Sequence, residues 1–260
     1  NANARRMMDA LQHKRDTPSM KLFDDKAEEQ RIWRVRESGL GATAHVPGRK
    51  ENWEGWEDSA VEPAQLGQYL REFKKLLDKY HYTGALYGHF GQGCLHTRID
   101  FDLKTAQGVR IFRSFIEEAA NLVVKHHGSF SGEHGDGQSR AELLPKMYGH
   151  DMVRAFDEFK NIWDPDWKMN PGKVVKPYRL DENLRYGPTY NPPEPRTHFK
   201  YADDSFSFRQ ATKRCVGVGE CRREHAGTMC PSYRVTREEK HTTRGRAHLL
   251  FEMLRGEVIR

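Results

Sequence analysis

No apolar run among the 260 residues approaches the roughly 18 that a membrane-spanning helix needs, and no membrane association is indicated. The opening stretch, Asn1-Ala2-Asn3-Ala4-Arg5-Arg6, holds neither an initiator Met nor an apolar core. It is not read as a secretory signal, and the chain is expected to be a piece of a longer one. Internal repeats are absent, which excludes solenoids and propellers. Cysteine is scarce and uneven: of four, Cys94 stands alone while Cys215, Cys221 and Cys230 fall in the last fifth. That distribution cannot build a disulfide framework; it points to metal or cluster ligation in a reducing, cytoplasmic compartment. A nucleic-acid module is missing too. The net charge of +6 is spread among 37 acidic residues, so an anionic substrate or an acidic partner domain is expected rather than nucleic acid.

With 37% hydrophobic and 31% charged residues, the chain has the composition of a soluble globular protein. Apolar residues recur at helical spacing from Val61 to Tyr80, with Pro63 near the first turn. Two strands follow, 84–90 and 94–101, around Gly91-Gln92-Gly93. A second helix is expected over Thr105–His126, stopping at Gly128, then a short strand and Gly-rich loop over Ser129–Gly137. A third spans about His150 to Trp163. The alternation implies an α+β layer. Pro188, Pro192, Pro193 and Pro195 mark the stretch from Pro177 to Pro195 as an extended linker, and Ser205–Arg214 and Thr236–Leu254 again look helical. The organisation expected is a domain over 1–178, a linker over 179–204 and a partial second domain over 205–260.

The chemistry concentrates in two short segments. In Tyr87-Gly88-His89-Phe90-Gly91-Gln92-Gly93-Cys94-Leu95-His96, a turn at Gln92-Gly93 would pair 91 with 94, 90 with 95 and 89 with 96. His89 and His96 would then share one face with Cβ atoms about 5 Å apart, close enough for both imidazoles to bind one divalent ion. The flanking glycines would let a ligand or another backbone approach closely. The second segment is Ser131-Gly132-Glu133-His134-Gly135-Asp136-Gly137. Glu133 is a candidate third ligand, for zinc or manganese, with a position left open for a substrate oxygen. His134, expected to point away from its neighbour in an extended loop, is the candidate for proton transfer. A surface histidine pair beside a glycine turn is the plain alternative for His89 and His96.

Gly-His-Phe-Gly-Gln-Gly-Cys-Leu-His resembles the Gly-His-x-Gly-Asp-Gly-Asn-x-His signature of FAD-linked oxidases of the vanillyl-alcohol-oxidase superfamily, which includes D-lactate, glycolate and D-2-hydroxyglutarate dehydrogenases. Gly132-Glu133-His134-Gly135 is similar to the family's second signature, and Met169-Asn170-Pro171-Gly172-Lys173-Val174 to its terminal Asn-Pro-Gly-Lys. The resemblance implies a ferredoxin-like α+β cap over the flavin, with His89, His96 and Glu133 as metal ligands, His134 as acid/base and Asn170 towards the flavin. Trp33-Arg34-Val35-Arg36-Glu37 resembles the family's Trp-x-x-Arg-Glu, making Arg36 the clamp for the substrate carboxylate, with a surface arginine on a helix as the alternative. It further implies an FAD-binding domain, for which these residues show no equivalent. Two departures stand out. Gln92 and Cys94 replace the family's Asp and Asn, Cys94 being read as a buried inert thiol with an extra ligand as alternative. Trp56-Glu57-Asp58-Ser59 falls where relatives carry a basic residue.

Cys215-x5-Cys221-x8-Cys230-Pro231 resembles the start of an α-helical ferredoxin domain, usually Cys-x2-Cys-x2-Cys-x3-Cys-Pro, with Val218 where one cysteine is expected. The resemblance implies a [4Fe–4S] cluster with its ligand set completed beyond Arg260, passing electrons to a downstream acceptor; a structural zinc site is the alternative. The whole is read as FAD-dependent oxidation of a small 2-hydroxy acid to the 2-oxo acid. A zinc-dependent hydrolase using His89, His96 and Glu133 and a non-catalytic electron-transfer module are the competing readings.

Overall fold

The computed structural model describes residues 2–46, 48–225, 227 and 229–256; the expected cut ends at Asn1 and Arg260 lie outside them. Residues up to Ala42 form one compact unit and those from Thr43 onward another. The first unit carries α1 (Ala2–Gln12), α2 (Lys26–Glu37) and most of α3 (Gly39–Ala44). Asp25 caps α2 by accepting from the amides of Ala27 and Glu28. Glu28 and Glu29 in its first turn, and Arg34 and Arg36 in its last, oppose the helix dipole. Neither α1 nor α2 buries a residue.

The second unit is α+β, as the alternation implies. It runs β1 (Ser59–Ala60), α4 (Leu66–Lys79), β2 (Gly84–His89), β3 (Cys94–Ile99), α5 (Ala106–Lys125), α6 (Gly137–Arg140), α7 (Leu144–Trp163), α8 (Phe208–Lys213), α9 (Pro231–Thr236) and α10 (Thr243–Arg255). The strands form an antiparallel sheet of order β1-β3-β2. On β3 the odd residues Leu95, Thr97 and Ile99 are fully buried. They sit with Tyr69 and Phe73 of α4 and Phe112, Phe115, Ile116 and Val123 of α5 in or against one core, to which Trp56 and Phe130 also belong. Each such side chain, fully buried, contributes about 1.5–3 kcal/mol. Strand alternation then turns Cys94, His96 and Arg98 to the opposite face.

Several boundaries move. The helix expected from Val61 begins at Leu66, after a 3-10 turn at Pro63–Gln65, because Val61 donates its amide to Gly93 O and so belongs to the sheet margin. No strand forms over Ser129–Gly137: Ser129 makes a single bridge to Ala60 and the rest is loop up to α6. α7 starts at Leu144, ahead of the expected His150, and is interrupted at Gly149 (φ 80°, ψ 163°). α10 begins only at Thr243, the expected Thr236 ending the separate helix α9. The proline-rich stretch carries no helix or strand, yet Tyr186 within it is buried, packing against Trp53 at 4.9 Å and Phe251 at 5.8 Å between ring centroids.

Candidate active site and metal centre

The hairpin register differs from the expected one by two residues. A 3-10 turn at Phe90–Gln92 with Gly93 left-handed (φ 76°) forms the loop, so His89 pairs with Cys94 and Tyr87 with His96. A slip of one residue would have sent the two histidines to opposite faces; a slip of two preserves the face. His89 and His96 are therefore diagonal neighbours, their ring centroids 5.6 Å apart.

Gly93 and Gly88 are where this hairpin needs glycine. A Cβ on Gly93 would stand 1.8 Å from Val61 O, and one on Gly88 (φ 142°) 2.5 Å from Cys94 O. It is the backbone, more than a ligand, that approaches these residues closely.

The second segment wraps around Asp58, whose side chain is fully buried. Asp58 accepts from Ser131 Oγ and, at 3.1 and 2.8 Å, from the amides of Glu133 and His134. Burial pushes its pKa up, but these donors outweigh it and hold the carboxyl below its usual range. The loop is thus curled rather than extended, and Glu133 and His134 do not diverge. Glu133 Oε1 lies 2.8 Å from His96 Nε2, 3.2 Å from His89 Nε2 and 3.7 Å from His134 Nε2. The rings of His96 and His134 stack at 4.9 Å with 2° between their planes.

The far nitrogens of two of these rings face acceptors. His96 Nδ1 lies 3.1 Å from Glu57 O, and a carbonyl only accepts, so Nδ1 donates there while Nε2 faces the centre, 2.8 Å from Glu133 Oε1. His134 Nδ1 likewise donates to Glu57 Oε1 at 2.9 Å, leaving Nε2 as the basic nitrogen. The His134 side chain is 42% exposed, so a substrate can reach it. Glu57 and Asp58 were missed as functional residues in the sequence; their only signal was a pair of adjacent carboxylates ahead of the histidine segments.

Two ligands on one ion, at bonds of about 2.0–2.2 Å and roughly tetrahedral to octahedral angles, stand about 2.8–3.6 Å apart. The 2.8 and 3.2 Å separations from Glu133 Oε1 to the two histidines fall in that range, so each of these pairs fits a shared divalent ion. Asp58 and Cys94 extend it on the buried side. With His96 and Glu133 they place one donor atom each within 4.8 Å of one another, a group among the described residues that does not include His89.

The other candidates lie elsewhere. Asn170 (φ 49°) lines a cleft of about 580 Å³ with Phe159, Trp163, Trp167 and Lys173. Arg36 belongs to the first unit, its guanidinium 5.3 Å from the Trp33 ring. Cys221 and Cys230 are buried with Tyr233. The Thr243 hydroxyl, at 3.0 Å, and its amide, at 3.1 Å, hold the Cys230 thiol below its ordinary pKa against the opposing effect of burial. Cys215 lines a neighbouring cavity with Arg244.

The sequence model for the C-terminal domain of FAD-linked oxidases matches residues 1–174. The chain is similar to the D-2-hydroxyglutarate dehydrogenase of Pseudomonas putida, 32% identical over 228 residues that cover 86% of this chain and 22% of that protein. It is 30% identical over 236 residues to the protein of that name from Escherichia coli K12, covering 87% and 22%. A probable mitochondrial D-lactate dehydrogenase of Danio rerio is 31% identical over 154 residues, covering 59% and 30%. The chain thus spans between 22% and 30% of these relatives' lengths, and the first two are matched well beyond residue 174 in extent. No helix among the described residues is long and apolar enough to cross a membrane.

Proposed function

The chain belongs to the C-terminal domain family of FAD-linked oxidases, and from that premise we propose that it is the substrate-binding part of a flavin-dependent dehydrogenase for 2-hydroxy acids of the 2-hydroxyglutarate type. The observation that carries this reading is the convergence of three imidazole Nε2 atoms, from His89, His96 and His134, on Glu133 Oε1. The choice of acid is supported by the extent of similarity: 86% of the chain for a D-2-hydroxyglutarate dehydrogenase against 59% for a D-lactate one.

In this reading, His89, His96 and Glu133 would hold a divalent ion, which would supply positive charge for the substrate's oxygens. Bound flavin supplies the acceptor for the hydride that leaves the α-carbon. His134 Nε2 takes the hydroxyl proton as the C–O bond becomes a carbonyl, and Glu57, accepting from Nδ1, stabilises the imidazolium that results. Arg36 clamps the α-carboxylate with its planar guanidinium. Asn170 faces the flavin, a role suited to its cleft between the flat walls of Trp163 and Trp167. Residues 1–178 form the cap and 179–204 the connection. Cys215, Cys221 and Cys230, in 205–260, would supply three thiolates to an iron–sulfur cluster, which would serve as an electron carrier when bound.

The test uses the flavin-loaded protein. His89→Ala removes the ion and flavin reduction together, measured by metal analysis and stopped-flow absorbance. His134→Ala slows flavin reduction about 10²–10⁴-fold while the ion stays. Arg36→Ala first raises KM. Stoichiometric metal in the His89→Ala/His96→Ala double variant would falsify the ligand assignment, and wild-type reduction by His134→Ala at every pH would remove it as the base. A protein that hydrolyses its substrate with no flavin bound would be the zinc hydrolase instead.

A further inference from the structure

Arg98 lies on the metal-bearing face of β3, two residues beyond His96. Across from it on β2 is Ala85, so only a methyl group flanks it on that side. Its side chain is 6% exposed, and among the described residues its ion pair, through Nη1, is to Glu54, which is 62% exposed and so solvated. Arg98 Nε is buried and has no hydrogen-bond partner among the described residues. An orphaned guanidinium N–H in the interior is costly, and an anionic oxygen is the group that satisfies it best. Arg98 also lines a cavity of about 290 Å³, walled in part by Gln138 and Ser139, which follow the His134 loop, and by Lys213. Lys213 is itself 4% exposed and stands 3.4 Å from Oε1 of Glu51, which lines the same cavity.

We propose that this cavity is a second anion subsite, in which Arg98 receives the distal carboxylate of a dicarboxylic 2-hydroxy acid whose hydroxyl end lies at His96 and His134. The proposal rests on the 2-hydroxy-acid reading above and names the feature that selects the side chain. Two residues along a strand span about 7 Å, roughly the reach of a five-carbon diacid from one end oxygen to the other at ordinary bond lengths.

The experiment compares D-2-hydroxyglutarate with D-2-hydroxypentanoate, which has the same number of carbons and a methyl in place of the distal carboxylate. Flavin reduction is followed in the flavin-loaded protein, and glutarate binding is measured separately by calorimetry. The wild type favours hydroxyglutarate in kcat/KM. Arg98→Met lowers that preference about 10- to 100-fold, through KM, weakens glutarate by a similar factor, and Arg98→Lys restores part of both. A wild type that does not distinguish the two acids overturns the proposal, as does an Arg98→Met variant that slows both equally. Should neither acid reduce the flavin, the 2-hydroxy-acid reading fails, and glutarate decides the subsite alone: Arg98-dependent binding upholds it and Arg98-independent binding ends it. If Arg98→Met does not fold, the Lys variant and the wild-type preference decide in the same way.

Discussion

Asp58 is fully buried beneath the loop that carries Glu133 and His134, and it accepts from Ser131 Oγ and from both amides of that pair. One carboxylate therefore sets the curvature that brings a metal-ligand candidate and a base candidate to the same point. Removing it orphans three donors, two of them backbone N–H groups that cannot turn elsewhere without unwinding the loop. Each orphan costs about 1–3 kcal/mol before water compensates, so Asp58→Ala should lower stability by about 2–4 kcal/mol in urea unfolding. His134 and Glu133 should then separate, with metal affinity falling alongside. Because the folded carboxyl is held below its unfolded value of 3.8, its contribution is complete at neutral pH and is lost as acid carries the pH below 3.8. A variant with unchanged urea midpoint would show that the loop keeps its shape without the carboxylate.

The hairpin formed by β2 and β3 is the element on which the site depends, and its turn is fixed by the crowding of Gly93 against Val61 O. Gly93→Ala must either move the backbone of the sheet margin or expel Val61, and its φ of 76° is unfavourable for alanine besides. A loss of about 2 kcal/mol or more is expected in the same unfolding measurement, with β1 detached first in amide exchange. Ala at 93 with full stability would mean that the loop tolerates a different turn. The hairpin, its glycines and the shared face of His89 and His96 were legible in the sequence because alternation is a local property and survives a two-residue slip. The register was not legible, since a four-residue loop with a 3-10 turn and a two-residue loop fit the same glycines. Nor was the edge strand: Ser59 and Ala60 are only two residues, specified by pairing with Leu95 and Cys94 far along the chain and by the bridge to Ser129. The roles of Glu57 and Asp58 depend on that pairing, so no local pattern could reveal them.

Across the unit from Thr43 onward, the cysteine-bearing segment is tied to the segment leading into β1. Gln210 Nε2 of α8 donates to Glu51 Oε1 at 2.8 Å, Lys213 Nζ stands 3.4 Å from the same oxygen, and Phe251 of α10 packs on Tyr186 and Tyr190. Burial, only partly opposed by Glu51, lowers the Lys213 pKa to about 8. A redox centre held by such a segment would be fixed in place rather than tethered loosely, which is what electron transfer requires of it. Cys230 sits where thiolate is favoured: its sulfur receives the amide of Thr243, the first residue of α10, at 3.1 Å. A [4Fe–4S] cluster takes four thiolates, whereas this segment offers three, and the Cys94 thiol lies beside Asp58, 3.5 Å from its Oδ1. Anaerobic reconstitution of the 260-residue chain with iron and sulfide should therefore give a labile, substoichiometric chromophore. Cys221→Ser and Cys230→Ser should each abolish it in the visible spectrum, while Cys94→Ser leaves it unchanged. A stable four-iron cluster at full occupancy, or colour that survives the Cys230 substitution, would show that the thiols of this segment are not its ligands.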